Sequence, residues 1–296
     1  MSKARLLVVE DDKDISDMLK IYFTGLGYDV DVAPRGEEGL NMTRQIMPHL
    51  IILDIMLPDI DGYEVCRRLR INTRTSHIPV IFLTQKDERS DKLQGLELGA
   101  DDYITKPFDI EELRLRVQNA IARAERESLT DPQSGLPSGR LIEDQLRRLI
   151  REKDWALYDI KINHLEPFKE VYGFIAASDV LRFTGMLLGD VLDQVNPQNY
   201  DFIGHAGGDN FILISDFDLA ARLTPLLKEK FSEAIMTHYN FMDRDQGYLL
   251  VNNDQGAQQK VPFMTLAVGV VSPSTHQFAD IREITELAAE QRRKDN

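Results

Sequence analysis

Short apolar runs alternate with longer amphipathic stretches in the first third of the chain. Each run is followed by polar or charged residues, and the runs lie at residues 6–9, 50–53, 80–83 and 103–104. After the first run, apolar side chains recur three or four positions apart from Ile15 to Phe23, which is the spacing of a helix with one buried face. Strands that alternate with helices predict an α/β fold with a parallel sheet.

Polar side chains follow three of these predicted strands. Three acids at residues 10–12 follow the first strand, Asp54 follows the second and Thr84 follows the third. A lone aspartate at the end of a strand is ordinarily a helix cap or a turn former. In an open parallel sheet, however, ligands bind beyond the carboxyl ends of the strands. We therefore expect the acids, Thr84 and Lys106 to converge on one edge of the sheet.

This edge would carry the side chains that phosphoryl transfer requires. Carboxylates gathered in one place repel each other, and Mg²⁺ relieves the repulsion because it binds oxygen ligands. An aspartate can attack a phosphoryl group as a nucleophile, while a metal ion and a lysine offset the charge of the transferring oxygens. Asp54 is therefore the candidate nucleophile, and Lys106 is the candidate cation.

Four separated motifs lie at residues 8–12, 54–62, 83–84 and 102–108. These motifs, and their order along the chain, resemble those of the receiver domain of two-component response regulators. The resemblance covers about residues 1–125 and implies a flavodoxin-like (βα)5 fold. It also implies that Asp54 accepts a phosphoryl group from a histidine kinase or a phosphotransfer protein.

The same resemblance implies a Mg²⁺ site around the phosphoacceptor. Asp11, Asp54 and the backbone carbonyl of Met56 would bind the ion directly, and Glu10 would reach it through a water molecule. Mg²⁺ is therefore the expected cofactor of this domain.

Three further residues take roles from the resemblance. Thr84 and Tyr103 would form a switch pair, in which the hydroxyl follows the phosphoryl group and the ring follows the hydroxyl. Lys106 would contact the phosphoryl group directly. The family usually has a cis peptide bond between Lys106 and Pro107.

Composition narrows the possible partners and locations. The chain has 296 residues, which is enough for two domains. Its net charge of -14 argues against sequence-independent binding to nucleic acid or anionic membrane. We therefore expect no DNA partner and no membrane partner. The single cysteine, Cys66, fits a reducing compartment, and no uninterrupted apolar run approaches the ~18 residues of a membrane span. A cytoplasmic location is the resulting prediction.

A helix predicted to begin near Asp109 leads out of the first domain and continues to about residue 128. It is interpreted either as a rigid connection that pairs with a second copy or as the solvated end of an ordinary last helix. Capping and turn residues follow it at 128–132. We therefore place the first domain at 1–125, with this helix as a linker, and the second at 129–296.

Two glycines, Gly207 and Gly208, lie between two apolar runs in the second half of the chain and predict a hairpin turn. Further motifs lie at residues 131–140, 168–181, 207–211 and 265–271. With these motifs the second half resembles GGDEF domains, the α+β, nucleotidyl-cyclase-like domains of diguanylate cyclases.

Active GGDEF domains join two GTP molecules into cyclic di-GMP with two metal ions, and this chain departs from their pattern. Lys161 and Asn163 stand where the two metal-binding aspartates belong, Lys169 replaces a guanine-reading asparagine, and Asn210 replaces a carboxylate. An alignment that uses Asp159 as the metal ligand breaks the spacing of the motif. We therefore predict an inactive site, which comprises Lys161, Asn163, Lys169, Asp179, Gly207, Gly208, Asp209 and Asn210.

Three functions are compatible with these patterns. The first, which we favour, is a response regulator whose non-catalytic GGDEF-like domain acts by dimerisation or by binding a downstream protein when Asp54 is phosphorylated. The second is a phosphorylation-gated diguanylate cyclase, and the third is a non-catalytic sensor of GTP or another nucleotide. Residues 237–262 add an expected extra hairpin, which is either a solvated excursion or a surface for a partner.

Overall fold

The computed structural model describes residues 4–84, 100–126, 129–196, 201–252 and 258–295. The chain forms two compact units, Met1–Gly135 and Leu136–Asn296. The predicted boundary near residue 128 lies seven residues before this division, because the turn after the last helix of the first unit packs on that unit. Residues 127 and 128, where the linker helix was expected to end, lie outside the described part.

The first unit has a five-stranded parallel sheet, and its strand order is β2-β1-β3-β4-β5. This is the order of flavodoxin-like folds, so the predicted α/β arrangement is confirmed. Residues 85–99, between β4 and β5, lie outside the described part. The elements are β1 (Arg5–Val9), α1 (Lys13–Gly25), β2 (Asp29–Ala33), α2 (Gly36–Ile46), β3 (Leu50–Asp54), α3 (Gly62–Ile71), β4 (Val80–Thr84), β5 (Asp102–Thr105) and α4 (Ile110–Arg126).

The three central strands of this sheet are apolar except at one terminal residue each, Arg5, Asp54 and Thr84, because helices cover both faces of the sheet. Every residue of β1, β3 and β4 is buried. Alternate side chains enter two separate cores, one containing Leu6 and Ile52 and the other containing Leu7 and Ile51. Since both faces are fixed by packing, the polar residues at the strand ends are held in place by a rigid scaffold.

The second unit has a four-stranded antiparallel sheet with the order β11-β6-β8-β7. The predicted hairpin is confirmed: β7 and β8 pair across Gly207 and Gly208, whose φ angles of 105° and 62° favour glycine. The elements are α5 (Gly139–Leu149), β6 (Trp155–Asn163), α6 (Leu165–Val195), β7 (Phe202–Gly207), β8 (Asn210–Asp216), a 3-10 helix (Phe217–Leu219), α7 (Ala220–Ala234), a 3-10 helix (Ile235–His238), α8 (Phe241–Gln246), β9 (Leu249–Asn252), β10 (Gln258–Val261), β11 (Thr265–Val271) and α9 (Ile281–Lys294).

Helix α6 is, among the described residues, the one helix long and apolar enough to cross a membrane. Length and composition alone are weak grounds for a membrane span, and two features mark α6 as a core helix. Gly173 has φ 86° and ψ 171°, which interrupts the helix after its second turn. Beyond that break, Val180, Leu188 and Leu192 are buried within the unit. The apolar character of α6 is accounted for by packing.

The segment 237–262 contains the predicted extra hairpin. Strands β9 and β10 pair antiparallel, with Leu249 opposite Val261. The short helix α8 precedes them, and Asn240 caps it by accepting a hydrogen bond from the Asp243 backbone N–H. Residues 253–257, between the two strands, lie outside the described part.

Candidate functional site

Two buried carboxylates lie at the ends of neighbouring parallel strands in the first unit. Glu10 directly follows β1, Asp54 ends β3, and their exposed fractions are 1% and 4%. Asp11 is exposed beside them. One carboxylate oxygen from each of the three residues lies within 4.8 Å of the others. The structure therefore brings together three of the acids that were expected to converge.

Asp12, the fourth acid of this region, has a different role. Its carboxylate accepts hydrogen bonds from the backbone N–H groups of Asp14 and Ile15 at 2.9 and 3.2 Å. It thereby caps the first turn of α1. Its neighbours Glu10 and Asp11 keep carboxylate oxygens close to Asp54.

The Lys106 ammonium lies between the two buried carboxylates. Its Nζ donates to Glu10 Oε2 at 2.7 Å and to Asp54 Oδ2 at 3.0 Å. Burial by itself would lower the pKa of Lys106, but the hydrogen bonds to the two carboxylates raise it above its usual value. Lys106 is therefore held as a cation next to Asp54.

Glu10 is strongly affected by the same surroundings. Burial raises the pKa of its carboxyl group to about 7; the hydrogen bond from Lys106 opposes this change, and the charge of Asp54 adds to it. Two carboxylates, those of Glu10 and Asp54, share one lysine, and the Asp11 carboxylate lies close to both, so acidic groups outnumber the cation here. Oxygen donors at this spacing fit a hard divalent cation such as Mg²⁺.

The loop after Asp54 keeps its backbone close to the acids. The Met56 N–H donates to Asp54 Oδ1 at 3.3 Å, and the Met56 side chain is exposed. Gly62 begins α3 in contact with the end of β3, and a Cβ atom on Gly62 would lie 2.3 Å from the Asp54 carbonyl oxygen. Only glycine permits this approach, so Gly62 lets the loop fold over the site.

Thr84 and Tyr103, the predicted switch pair, lie on adjacent strands. Thr84 is buried at the end of β4, and Tyr103 lies in β5 with its ring partly buried against the core that contains Phe82. The Lys106 N–H donates to the Thr84 carbonyl at 2.6 Å. The peptide bond between Lys106 and Pro107 is cis, as the resemblance implied.

A second charged cluster lies in the second unit, around the predicted degenerate site. Lys161 Nζ lies 3.5 Å from Asp209 Oδ2. Arg292, from α9, donates to Asp159 at 2.9 Å and also to the Asn210 side-chain oxygen. Burial raises the pKa of the Asp159 carboxyl group, while Arg292 and Lys161 lower it. Each acid of this cluster therefore has a cation beside it.

The other predicted residues of that site are not part of this cluster. The Asn163 amide donates to Thr265 Oγ1 at 3.2 Å. Lys169 pairs with Glu166, and Asp179 pairs with Arg182, each one helical turn away on α6. Gly207 and Gly208 form the hairpin turn.

Sequence reasoning missed Arg292. It lies 133 residues after Asp159 and 82 residues after Asn210, at the end of a helix with an ordinary amphipathic pattern. No local pattern indicates such a contact. The paired acid, Asp159, was considered only as a metal ligand in an alternative alignment.

Comparison with known proteins relates the chain to regulators of transcription. The response regulator receiver domain family matches residues 6–118. The probable transcriptional regulator ycf27 of Porphyridium aerugineum is 41% identical over 234 residues, which cover 72% of this chain and 96% of that protein. The DNA-binding dual master transcriptional regulator RpaA of Synechocystis is 43% identical over 165 residues, which cover 55% of this chain and 66% of RpaA. The alkaline phosphatase synthesis transcriptional regulatory protein PhoP of Bacillus subtilis is 37% identical over 209 residues, which cover 68% and 81% of the two chains.

These relatives correct one prediction and confirm another. The exclusion of DNA as a partner is wrong, because RpaA is named as DNA-binding. The exclusion rested on a net charge of -14, which is a sum over the whole chain and gives no information on a local basic surface. The prediction that the chain is not an enzyme is confirmed, since the relatives are named as regulators of transcription. Their names give no support to the GGDEF resemblance, which stays a prediction.

Proposed function

Because this chain belongs to the response regulators of two-component systems, we propose that its first unit is a phosphorylated switch with Asp54 as the phosphoacceptor. The observation that supports this best is the arrangement of Lys106, whose ammonium binds both Glu10 and Asp54. It keeps a cation within reach of the oxygens of an incoming phosphoryl group. Asp54 Oδ would attack phosphorus, and the bond from phosphorus to the nitrogen of a histidine kinase or phosphotransfer protein would break.

Mg²⁺ is the metal that this site would bind. Asp11, Asp54 and the Met56 carbonyl would hold it directly, and Glu10 would hold it through water. The oxygens of Glu10, Asp11 and Asp54 are close enough to share one ion. When bound, the ion would offset the charge of the phosphoryl oxygens. Lys106 would then hold one of those oxygens.

Thr84 and Tyr103 would report the phosphorylated state. Phosphorylation would draw the Thr84 hydroxyl towards Asp54, and the Tyr103 ring, which is partly exposed in β5, would follow it into the core. This is a shift between two populations that the added charge stabilises differently.

The assignment of Asp54 is tested with a small phosphodonor and Mg²⁺. We expect the wild-type chain to gain the mass of one phosphoryl group and Asp54→Asn to gain none. Asp12→Asn is the matched control, because Asp12 is an exposed acid nearby whose capping role an asparagine can fulfil. Equal phosphorylation of Asp54→Asn and the wild type would exclude Asp54 as the acceptor.

For the output, we propose regulation of transcription without catalysis. The relatives are named as transcriptional regulators, and the alignment with the Porphyridium protein spans 234 residues, more than the 135 residues of the first unit. DNA is therefore a candidate partner, which a mobility-shift assay on genomic fragments tests with and without phosphodonor. We place the protein in the cytoplasm, where such regulators meet both kinase and DNA.

A second candidate is a GGDEF-like unit that acts by dimerisation or through protein partners. It is favoured by the hairpin that β7 and β8 form at Gly207 and Gly208, where the resemblance has one of its motifs. The cations that pair with Asp209 and Asp159 favour the absence of catalysis. Incubation with GTP and Mg²⁺ tests it: formation of cyclic di-GMP would show an active cyclase, and thermal stabilisation by GTP without product would show a nucleotide sensor. A phosphorylation-dependent change in molar mass without DNA binding would favour this candidate over the first.

A further inference from the structure

The edge of the first sheet opposite Asp54 carries a second buried polar cluster. Arg5 begins β1, His49 directly precedes β3, and His77 lies shortly before β4. Because the strands are parallel, their starting residues meet at one edge. Together with Met47, these residues line what we call the socket.

Arg5 is the centre of the socket and is only 4% exposed. Its guanidinium donates to the carbonyl oxygens of Ile46 at 2.9 Å and Met47 at 2.8 Å. A third carbonyl oxygen, that of Ser134, lies 3.4 Å from Arg5 Nη2. A buried guanidinium needs such acceptors, so the chain near Ser134 completes the surroundings of Arg5.

One of the two histidines, His77, contacts the chain after α4, and the other, His49, contacts the Arg5 backbone. His77 Nε2 donates to the Gly135 carbonyl at 3.4 Å, and His49 Nδ1 accepts from the Arg5 N–H at 3.0 Å. Burial lowers the pKa of both histidines to about 4, so both are neutral near pH 7. Neutral rings can pack beside the Arg5 guanidinium without charge repulsion.

Residues 131–135, which we call the latch, form a compact turn on the socket. The Asp131 carboxylate accepts from the N–H groups of Gln133 and Ser134 at 3.0 and 2.8 Å and from Ser134 Oγ at 3.0 Å. The Gly135 N–H donates to the Asp131 carbonyl at 2.8 Å. Ser134 is 1% exposed, so the latch is seated rather than lying loosely on the surface.

Gly135 shows how closely the latch fits. Its φ angle is +79°, and a Cβ atom added there would lie 2.7 Å from Arg5 Nη2 and 2.9 Å from the Met47 carbonyl oxygen. A side chain at this position would strain the backbone and would clash with buried polar atoms. It would therefore move the latch away from the socket.

We propose that the latch couples the state of the acidic edge to the chain that follows residue 135. Three of the four socket residues are each connected to that edge by one five-residue strand: β1 leads from Arg5 to Glu10, β3 from His49 to Asp54, and β4 from His77 to Thr84. A rearrangement at Asp54 can therefore reach the socket along three rigid strands. The proposal rests on the proposed function only in taking phosphorylation of Asp54 as the input.

Hydrogen exchange of the full-length chain with Gly135→Ala tests the seating of the latch. Without phosphodonor, we expect amides of residues 131–135 to exchange roughly tenfold to a hundredfold faster than in the wild type, since overpacking shifts an equilibrium by about that factor. Gly27→Ala is the matched control, because Gly27 also has a positive φ, +94°, but has no atom within 4 Å of an added Cβ. An alanine at position 27 therefore has the backbone strain of a positive φ angle but no steric clash of its Cβ atom.

Asp131→Ala is the second variant. It removes the acceptor that holds the turn and leaves all socket residues intact, so it releases the latch even where Gly135→Ala perturbs folding. In both variants we expect unchanged phosphorylation of Asp54. We also expect loss of the phosphorylation-dependent change in exchange across residues 136–295.

Two results would overturn the proposal. Wild-type exchange at residues 131–135 in both variants would show that the latch is not seated. A released latch with an intact response of residues 136–295 would show that α4 carries the signal instead. Failure of the wild type to be phosphorylated at Asp54 would count against the proposed function, and it is distinguishable because seating is measured without phosphodonor.

Discussion

In the first unit, the carboxylates of Glu10, Asp11 and Asp54 lie together, and Lys106 pairs with two of them. In the second unit, Asp159 and Asp209 each lie beside a cation of their own. The first cluster lies at strand ends, whereas Asp159 of the second lies in the middle of β6, and both clusters contain residues of opposite charge. They differ in balance: the first has an excess of negative charge, and the second does not. An excess of buried negative charge favours a bound cation, while a balanced cluster has no such requirement. Charge balance therefore distinguishes an acidic cluster that suits a hard divalent cation from a cluster whose acids already have cationic side chains as partners.

Removal of the lysine tests the first half of this comparison and has the largest expected effect. Lys106→Met deletes the cation next to Asp54, and we expect the rate of phosphorylation to fall roughly 10²-fold to 10³-fold, as for loss of one preorganised electrostatic group. Intact mass measured over time gives the rate. Lys13→Met, which removes an exposed lysine, is the control. An unchanged rate would mean that Lys106 has only a structural role.

Acidification is expected to destabilise the first unit through its histidines. The pKa of His77 is about 4 in the folded chain and 6.5 when unperturbed, so between these pH values the unfolded chain takes up a proton that the folded chain excludes. The free energy of unfolding therefore falls as the pH is lowered from about 6.5 to 4, by roughly 3 kcal/mol at most for this histidine.

The variant His77→Gln isolates this contribution. The glutamine amide nitrogen lies as many bonds from Cβ as His77 Nε2, so it keeps an N–H donor for the Gly135 carbonyl, and it does not titrate. We expect the free energy of unfolding, measured in urea from pH 7 to pH 4, to depend less on pH in this variant. Parallel pH profiles for the wild type and His77→Gln would contradict the assigned cause.

Removing a cation from the charged cluster of the second unit is expected to have a moderate effect on stability. Arg292→Met leaves the partly buried Asp159 without its ion-pair partner, and we expect the free energy of unfolding of the second unit to fall by about 1–3 kcal/mol. The loss is smaller than for a fully buried pair, because both side chains are partly exposed. Trp155, the single tryptophan, is buried in the core of this unit and reports its unfolding in urea.

Lys294→Met provides the matched control for Arg292→Met. It removes the partner of Glu290 from the same helix, but this pair is exposed and screened by solvent, so we expect almost no change in stability. If the two variants unfold at the same urea concentration, Arg292 is not what stabilises the cluster.

The smallest expected effect is that of added Mg²⁺, which should stabilise the unit with the first cluster and not the unit with the second. At ten times its dissociation constant, Mg²⁺ is expected to stabilise the first unit by about 1.4 kcal/mol and to leave the Trp155 transition unchanged. Hydrogen exchange in β1 and β3 measures the first effect. Asp11→Asn, which removes one carboxylate of the set, should weaken it. Stabilisation of the second unit by Mg²⁺ would contradict the comparison.

The acidic edge of the first sheet was predictable because its residues end or directly follow strands that the apolar runs in the sequence predict. Asp54 and Thr84 follow apolar runs, and parallel pairing brings the ends of such runs together. The hairpin at Gly207 and Gly208 was predictable for a similar reason, since both glycines have positive φ angles between two apolar strands.

The contacts of Arg292 and Arg5 were not predictable in this way. Arg292 lies 133 residues from Asp159, and Arg5 lies 129 residues from Ser134. An arginine near the end of a helix or at the start of a strand is usually solvated, so its local surroundings in the sequence give no sign of a buried partner. The prediction of no DNA partner failed on a related ground, because net charge carries no positional information.

By itself, the sequence determined the alternation of strands and helices in the first unit, the acids and the lysine at its strand ends, and the hairpin of the second unit. These features follow from periodicity and from local backbone requirements, which act over a few residues. Only the tertiary structure decided that Arg292 neutralises Asp159 and that the latch completes the surroundings of Arg5. Such pairings depend on which distant groups are desolvated together, and desolvation is a property of the folded chain.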